Sequence, residues 1–477
     1  MSCAEVNNIG SNPTQGLGRS AKAWQIRIFA VTWIAYAGFY LCRKNFSVAM
    51  PLLGGESGLT KLDFANLIFG YSLMYAAGQP LFGVLADRFG ARRVVATGML
   101  LAVVANIFMV TGTSVLMLAP LMLMNGIGQA TGWPGLVQIM ANWFRRGERG
   151  MVMAWWTTNY VLGGFLATVF ATWVATSSLL LPGQGWQRAF WVPAVLLAVI
   201  AALFVAGARD RPEDSVVRSE EAAPDAATRL RSASARLRYA SATQADAPAE
   251  RPHLGRALAS PLIWIIALGC LFAKITRYAF LFWLPLYMTE QLGYTVDQAG
   301  YMASIFELSG FGGAILAGYV SDRLFQSRRF PVTALMFFML AVVCLVHPLT
   351  AGYGYVASGI GIALIGIANY GPDTLLQGAA AQDAGAGLGT GTVSGLISGV
   401  GSVGQLFSPY LVAFVAARYG WNGLFQVFTV VAFVGGALQA ILWNYGRRAG
   451  EDHAGRTPSI FDRRRFRRAR VVPRPER

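Results

Sequence analysis

The chain has 477 residues, of which 55% are hydrophobic and only 13% charged, and its mean hydropathy is +0.47. That balance is too apolar for a water-soluble enzyme or binding module of this length and points to a chain that lives in lipid. A net charge of +16 would suggest nucleic acid if the basic residues shared one soluble face, but they are spread over alternate loops.

Apolar runs of about 20 residues recur along the chain, each long enough at ~1.5 Å per residue to cross a hydrocarbon core of ~30 Å, and roughly twelve are expected. Residues 1–23 are polar and lack the charged-then-apolar pattern of a secretory signal, so an irregular cytosolic tail is expected. The first run starts near Trp24 and carries Tyr36, Tyr40, Arg43 and Lys44. Tyr36, Tyr40 and Arg43 stand at i, i+4 and i+7, one stripe of a helix. An arginine inside a membrane helix costs about 2.5–3.5 kcal/mol on insertion scales, so a charge there points to function. In the second run Tyr75 and Gln79, at i and i+4, form another polar stripe. That run ends in Gly83-Val84-Leu85-Ala86-Asp87-Arg88, followed by Arg92 and Arg93. Arg145, Arg146 and Arg149 follow the fourth run, whereas loops such as 52–62 and 291–298 carry almost no Lys or Arg. The positive-inside rule then places both termini in the cytosol.

Residues 209–259 are rich in Ala, Ser, Arg, Glu and Pro without an apolar face, and read as a flexible linker. The seventh run, from Ser260, carries Lys274 and Arg277; the eighth carries Glu307 and ends in Gly318-Tyr319-Val320-Ser321-Asp322-Arg323. Asp373 lies in the tenth run toward its cytosolic end, where solvation accounts for it. The tail, 447–477, is Arg-rich and suits an anionic lipid surface rather than nucleic acid. Cys3, Cys42, Cys270 and Cys344 are scattered without disulfide, redox or metal spacing. The histidines fall in the linker, near a helix end and in the tail, which suits no proton relay. No nucleophile elbow, phosphate-cradling loop or ligand cluster is found, so neither enzymatic activity nor a cofactor or metal is expected.

The chain repeats itself once. Asp87-Arg88 returns as Asp322-Arg323 (322 − 87 = 235), Gly185-Trp186 as Gly420-Trp421 (421 − 186 = 235) and Pro134 as Pro372 (372 − 134 = 238). The expected fold is therefore an all-α membrane protein of twelve helices in two pseudo-symmetric six-helix bundles, 24–208 and 260–446, with a site between them near the midplane. Arg43 and Arg277 match under the same repeat (277 − 43 = 234), one from each half. Two forked guanidinium groups can clamp a phosphate dianion in a way that point charges cannot. Glu307 is expected to neutralise Lys44 or Lys274. In the two Asp-Arg motifs the Gly allows close helix approach, while Asp87, Arg88, Asp322 and Arg323 form a conformational latch. Gly163-Gly164 and Gly312-Gly313 read as close helix packing.

These motifs resemble the major facilitator superfamily and, within it, the organophosphate:phosphate antiporters. The resemblance rests on Tyr40-Leu41-Cys42-Arg43-Lys44-Asn45-Phe46, on the run from Gly126 to Pro134, on Arg277-Tyr278 followed by Trp283, on Glu307 and on Tyr370-Gly371-Pro372. It implies phosphate binding by Arg43 and Arg277, a cavity lined by Tyr36, Tyr40 and Tyr75, and exchange of an organic phosphate (glycerol-3-phosphate, phosphoglycerate or a sugar phosphate) for inorganic phosphate. It further implies a multi-pass monomer in a bacterial inner membrane. The family's helix-two lysine is Gln79 here, a helix-five histidine of the glycerol-3-phosphate carriers is Asn159, and an aspartate before the helix-seven tryptophan is Phe282. Two other functions stay open: a sensor of external organophosphate, as some family members are, and a proton-coupled carrier of another anion with Glu307 as its proton site.

Overall fold

The computed structural model describes residues 13–144, 152–153, 155–177, 185–212, 254–385 and 390–445. The arginines at 145, 146 and 149, most of the expected linker and the basic tail lie outside the described residues.

The first half comprises α1 (Pro13–Phe39), α2 (Leu41–Ser57), α3 (Lys61–Phe89), α4 (Ala91–Met109), α5 (Val115–Ala130), α6 (Gly132–Trp143), α7 (Thr158–Thr176) and α8 (Arg188–Gly207). A short α9 (Leu254–Leu258) leads into the second half: α10 (Pro261–Leu292), α11 (Val296–Arg323), α12 (Arg329–Thr350), α13 (Tyr355–Leu375), α14 (Ala381–Gly385) and α15 (Thr390–Ala440). Helix α1 thus begins at Pro13, within the stretch expected to be an irregular tail. Among the described residues nine segments are long and apolar enough to cross a membrane. One, Val393–Ala440, is two passes, because Gly420 inside it is non-helical (φ 70°). The long helices α3 and α13 are less apolar than these; counted with them, the described residues reach the expected twelve passes. Large apolar side chains such as Leu116, Leu349, Val356 and Phe414 stand exposed on the outside, where a soluble protein would aggregate and a membrane protein meets lipid.

The internal repeat is visible in atomic detail. Helices α2 and α10 both end at a left-handed glycine, Gly58 (φ 69°) and Gly293 (φ 67°), a conformation that suits a residue without Cβ. Helices α3 and α11 both start with a capping box, Thr60 with Asp63 and Thr295 with Gln298. The repeated Gly-Trp pair has a matching use: the Trp186 indole donates to Glu56 at 2.7 Å and that of Trp421 to Glu290 at 2.9 Å.

Two proline-linked breaks shape the passes. Pro134 has no N–H to donate and its ring crowds the carbonyl of Ala130, so one pass divides into α5 and α6. Pro372 is followed by a π-helical turn, Leu376–Ala380. The closest helix approach uses glycines outside the Asp-Arg motifs. A Cβ on Gly98 would stand 1.8 Å from Thr131 Oγ1 and 2.6 Å from the Gly128 carbonyl, and one on Gly313 2.3 Å from the Ile367 carbonyl. Gly163, by contrast with Gly312, meets its neighbour closely, at 2.7 Å from Ala37 Cα. A Cβ on Gly83 would find only Pro134 at 3.8 Å, and one on Gly318 nothing within 4 Å, so close approach is not their purpose. Gly98→Ala is expected to cost about 1–3 kcal/mol from overpacking, whereas Gly318→Ala is expected to be neutral or to stabilise by up to about 1 kcal/mol. Melting of the purified protein in detergent compares the two directly.

Candidate functional site

Arg43 and Arg277 lie on the first passes of the two halves, in α2 and α10. Helix α2 restarts after a break in the hydrogen-bond ladder at Tyr40, and Asn125 Nδ2 donates to the Cys42 carbonyl at 2.8 Å, tying the restarted turn to α5. Arg43 is buried. Its Nε and Nη2 both donate to Gln129 Oε1, at 3.2 and 3.0 Å, while Gln129 Nε2 donates to the Phe39 carbonyl at 2.9 Å. Its guanidinium carbon lies 4.6 Å from the Tyr40 ring and 4.8 Å from that of Tyr75. Among the described residues this arginine has no carboxylate partner; it faces a neutral amide and two aromatic rings, with Tyr71 beside it. Tyr36 packs edge-on against Tyr40 (5.9 Å between centroids) and against Trp133 (5.3 Å).

The second arginine is held differently. Arg277 Nη1 forms an ion pair with Asp373, whose other oxygen accepts a hydrogen bond from Gln377. The guanidinium lies 4.1 Å over the Tyr370 ring and 5.7 Å from that of Tyr160, which belongs to the other half. Solvation was the sequence reading of Asp373, and this corrects it: the residue is 2% exposed because α13 packs its face against α10. Asn369, one turn away on that face, donates to Thr276 Oγ1 at 2.5 Å.

A polar bridge crosses between the halves at this level. Tyr370 donates to Glu307, Glu307 Oε1 meets Lys44 Nζ at 2.5 Å, and Lys44 Nζ also reaches the Leu281 carbonyl at 3.4 Å. Ser47 donates to the Phe282 carbonyl at 2.7 Å. Position 282 therefore contributes a backbone acceptor to the bridge. Lys274 is 8% exposed, and its ammonium has neither an ion pair nor a hydrogen bond among the described residues. Arg43, Lys44, Lys274 and Arg277 against Glu307 and Asp373 leave an excess of two positive charges (4 − 2 = 2) in a nearly dry interface. Asn159 is fully buried with neither amide atom bonded to protein, and Gln79 is half-buried without a hydrogen bond among the described residues.

In this structure the aspartates of the Asp-Arg motifs bond within their own halves and not across the interface. Asp87 accepts from Gln138 at 2.6 Å, inside its own half, and Asp322 pairs with Arg329 and accepts from Ser327 at 3.0 Å, inside the other. Arg88 and Arg323 are exposed and pair with no carboxylate among the described residues. The reason is reach: each aspartate ends a helix whose next neighbour in the same bundle presents a donor. The halves are instead tied on the side away from the termini. Lys61 and Glu290 pair at 2.7 Å, Tyr410 donates to Asn66 at 2.9 Å, and the rings of Phe69 and Tyr410 stand 5.1 Å apart. A cleft of about 1290 Å³ opens at this end, lined by Thr60, Lys61, Glu290, Tyr294 and Arg418, remote from the arginine pair.

The sequence missed the partners of both arginines, Gln129 and Asp373, and the bridging role of Tyr370. Gln129 and Tyr370 lay within motifs already singled out, and Asp373 was the one carboxylate of its pass, which is the signal that could have found it.

Residues 32–394 match the Major Facilitator Superfamily. A glycerol-3-phosphate transporter of Bacillus subtilis is 30% identical over 436 residues, covering 90% of this chain and 94% of that one. The membrane sensor protein UhpC of Escherichia coli is 26% identical, covering 87% of this chain and 91% of its own. The inward-facing, occupied structure of a bacterial homolog of the human lysosomal transporter Spinster superposes with a TM-score of 0.70 at 14% identity, over 88% of this chain and 97% of that one. At that identity the likeness concerns the fold.

Proposed function

Because the chain belongs to the major facilitator superfamily and, within it, to the organophosphate:phosphate antiporters, we propose that it exchanges an organic phosphate for inorganic phosphate by alternating access. The observation that carries this reading is the pair of pseudo-equivalent arginines in an interface with two excess positive charges, which matches one phosphate dianion. Arg43 and Arg277 take the phosphate oxygens, with Tyr36, Tyr40 and Tyr75 around them. The organic portion lies toward Asn159 and Gln79, whose unbonded amides supply donors and acceptors for hydroxyl groups. Lys44 and Glu307 hold the halves together at the level of the substrate and exchange partners as the halves rock. The phosphate gradient drives the cycle, so Glu307, bridged to Lys44 and Tyr370, acts in charge balance and carries no proton. The termini lie in the cytosol and the site serves a monomer.

Uptake of labelled inorganic phosphate into phosphate-loaded proteoliposomes, with unlabelled organic phosphates as competitors, tests this. Saturable exchange with competition by glycerol-3-phosphate or a sugar phosphate is expected. The likeness to a membrane sensor favours one second reading, an organophosphate receptor with little transport. Folded protein that binds an organic phosphate yet gives no exchange would decide for the receptor. Exchange that requires a pH gradient would decide for proton coupling.

A further inference from the structure

The two arginines of the site are unequal. Arg43 faces a neutral amide and aromatic rings, open to a new anion, whereas Arg277 already holds one. Asp373 holds Arg277 through one nitrogen, Nη1, so an incoming phosphate cannot take the end-on Nη1/Nη2 pair while that ion pair stands, and the displaced carboxylate, 2% exposed and otherwise bonded, among the described residues, only to the neutral Gln377, needs a new cationic partner in so dry a place.

The fold supplies that partner. Lys274 precedes Arg277 by three residues and so lies on the same face of α10. Its side chain leans toward the start of its helix, as helical side chains do. Helix α13 runs antiparallel to α10 and is pinned to it by Asn369, bonded to Thr276. Asp373 lies one turn beyond Asn369, in the direction toward which Lys274 leans. The Lys274 stem rests against α15, where a Cβ on Gly401 would stand 3.2 Å from its Cδ. Its ammonium has no bonded partner among the described residues, although the residue is 8% exposed. On the other flank Gln377, bonded to the second oxygen of Asp373, belongs to the π-helical turn Leu376–Ala380, a type of irregularity that lets a helix shift register locally.

We infer that Asp373 is a built-in counter-anion that bound phosphate must displace from Arg277, and that Lys274 receives the displaced carboxylate. This rests on the phosphate-transport reading and deepens it. The internal anion competes with substrate at one arginine only, so it lowers affinity for phosphate while leaving the first contact at Arg43 unobstructed. A site that releases its cargo on either side of the membrane benefits from that opposition. It also favours ligands able to outbid a carboxylate, that is, dianionic phosphate or phosphonate over monoanionic carboxylates. Carbon–oxygen and phosphorus–oxygen bonds are untouched; only ion pairs are exchanged.

The test uses full-length protein in detergent and in proteoliposomes, with inorganic phosphate as the probe. Asp373→Asn removes the competing charge with little change of shape and is expected to bind phosphate at least about tenfold more tightly, with a lower half-saturating concentration in exchange, since a hydrogen bond to a charged group is worth that much. Lys274→Met deprives the displaced carboxylate of its receiver and is expected to weaken phosphate binding by about tenfold. In the double variant the receiver has nothing to receive, so binding should return to within about threefold of Asp373→Asn alone rather than to the product of the two effects. Elution profile and melting identify any variant that fails to fold, and each single variant still tests one side of the exchange. Equal or weaker binding by folded Asp373→Asn, unchanged binding by Lys274→Met, or independent effects in the double variant would each overturn the inference while leaving phosphate transport intact. Wild-type protein that binds neither inorganic nor organic phosphate would instead overturn the transport reading, and this inference with it.

Discussion

Arg43→Lys is expected to lower phosphate exchange by about a hundredfold while the protein inserts and folds as before, because one ammonium cannot reproduce a forked, charge-assisted contact. Arg43 is the arginine without a carboxylate, so its fork is the part of the site most open to the ligand. It is also oriented at three points, by Gln129 Oε1 and by the rings of Tyr40 and Tyr75. A lysine keeps the charge and loses all three. Arg277→Lys is expected to impair exchange by a smaller factor, because an ammonium at 277 still pairs with Asp373 and already competes poorly for phosphate in the native arrangement. Half-saturation and maximal rate of exchange in proteoliposomes give both values. Wild-type exchange in both variants would remove the arginine clamp.

Glu307→Gln is expected to destabilise the protein by about 3–5 kcal/mol, the cost of leaving one member of a buried ion pair uncompensated. Lys44 and Glu307 are 4% and 1% exposed, so water cannot take the place of the lost partner. The Lys44→Met, Glu307→Gln double variant should regain most of the loss, since it leaves no orphaned charge. Melting of the four proteins in detergent provides the cycle. The same variant separates charge balance from proton coupling. A proton site would yield stable Glu307→Gln protein that has lost its response to a pH gradient, whereas a counter-ion yields unstable protein with no such response to lose.

The membrane class was legible because hydropathy is a sum over neighbours in sequence. The two-bundle organisation was legible because duplicated residues keep their spacing, and the paired tryptophan–glutamate bonds, left-handed glycines and capping boxes follow that spacing at atomic scale. A criterion of length and hydropathy alone finds nine segments among the described residues, because one run holds two passes, at Gly420, and because a polar stripe dilutes α3 with Tyr75 and Gln79. At Asp87 and Asp322 the motif did not disclose the partners seen in this structure, which are local: Gln138 and Arg329. A motif states which donors and acceptors exist, and proximity in the folded bundle selects among them.

By itself the sequence determined that this chain spans a membrane as two related halves and that each half contributes an arginine from its first pass. Those are properties of composition and of period, and they survive any detail of packing. Tertiary structure decided which partner each cation meets: the neutral amide of Gln129 for Arg43, Glu307 for Lys44 rather than Lys274, Asp373 for Arg277, and none among the described residues for Lys274. In a dry interface a charge is governed by whatever lies within a few ångströms, and those neighbours come from helices far apart in the chain, brought together by the burial of faces that carry no charge.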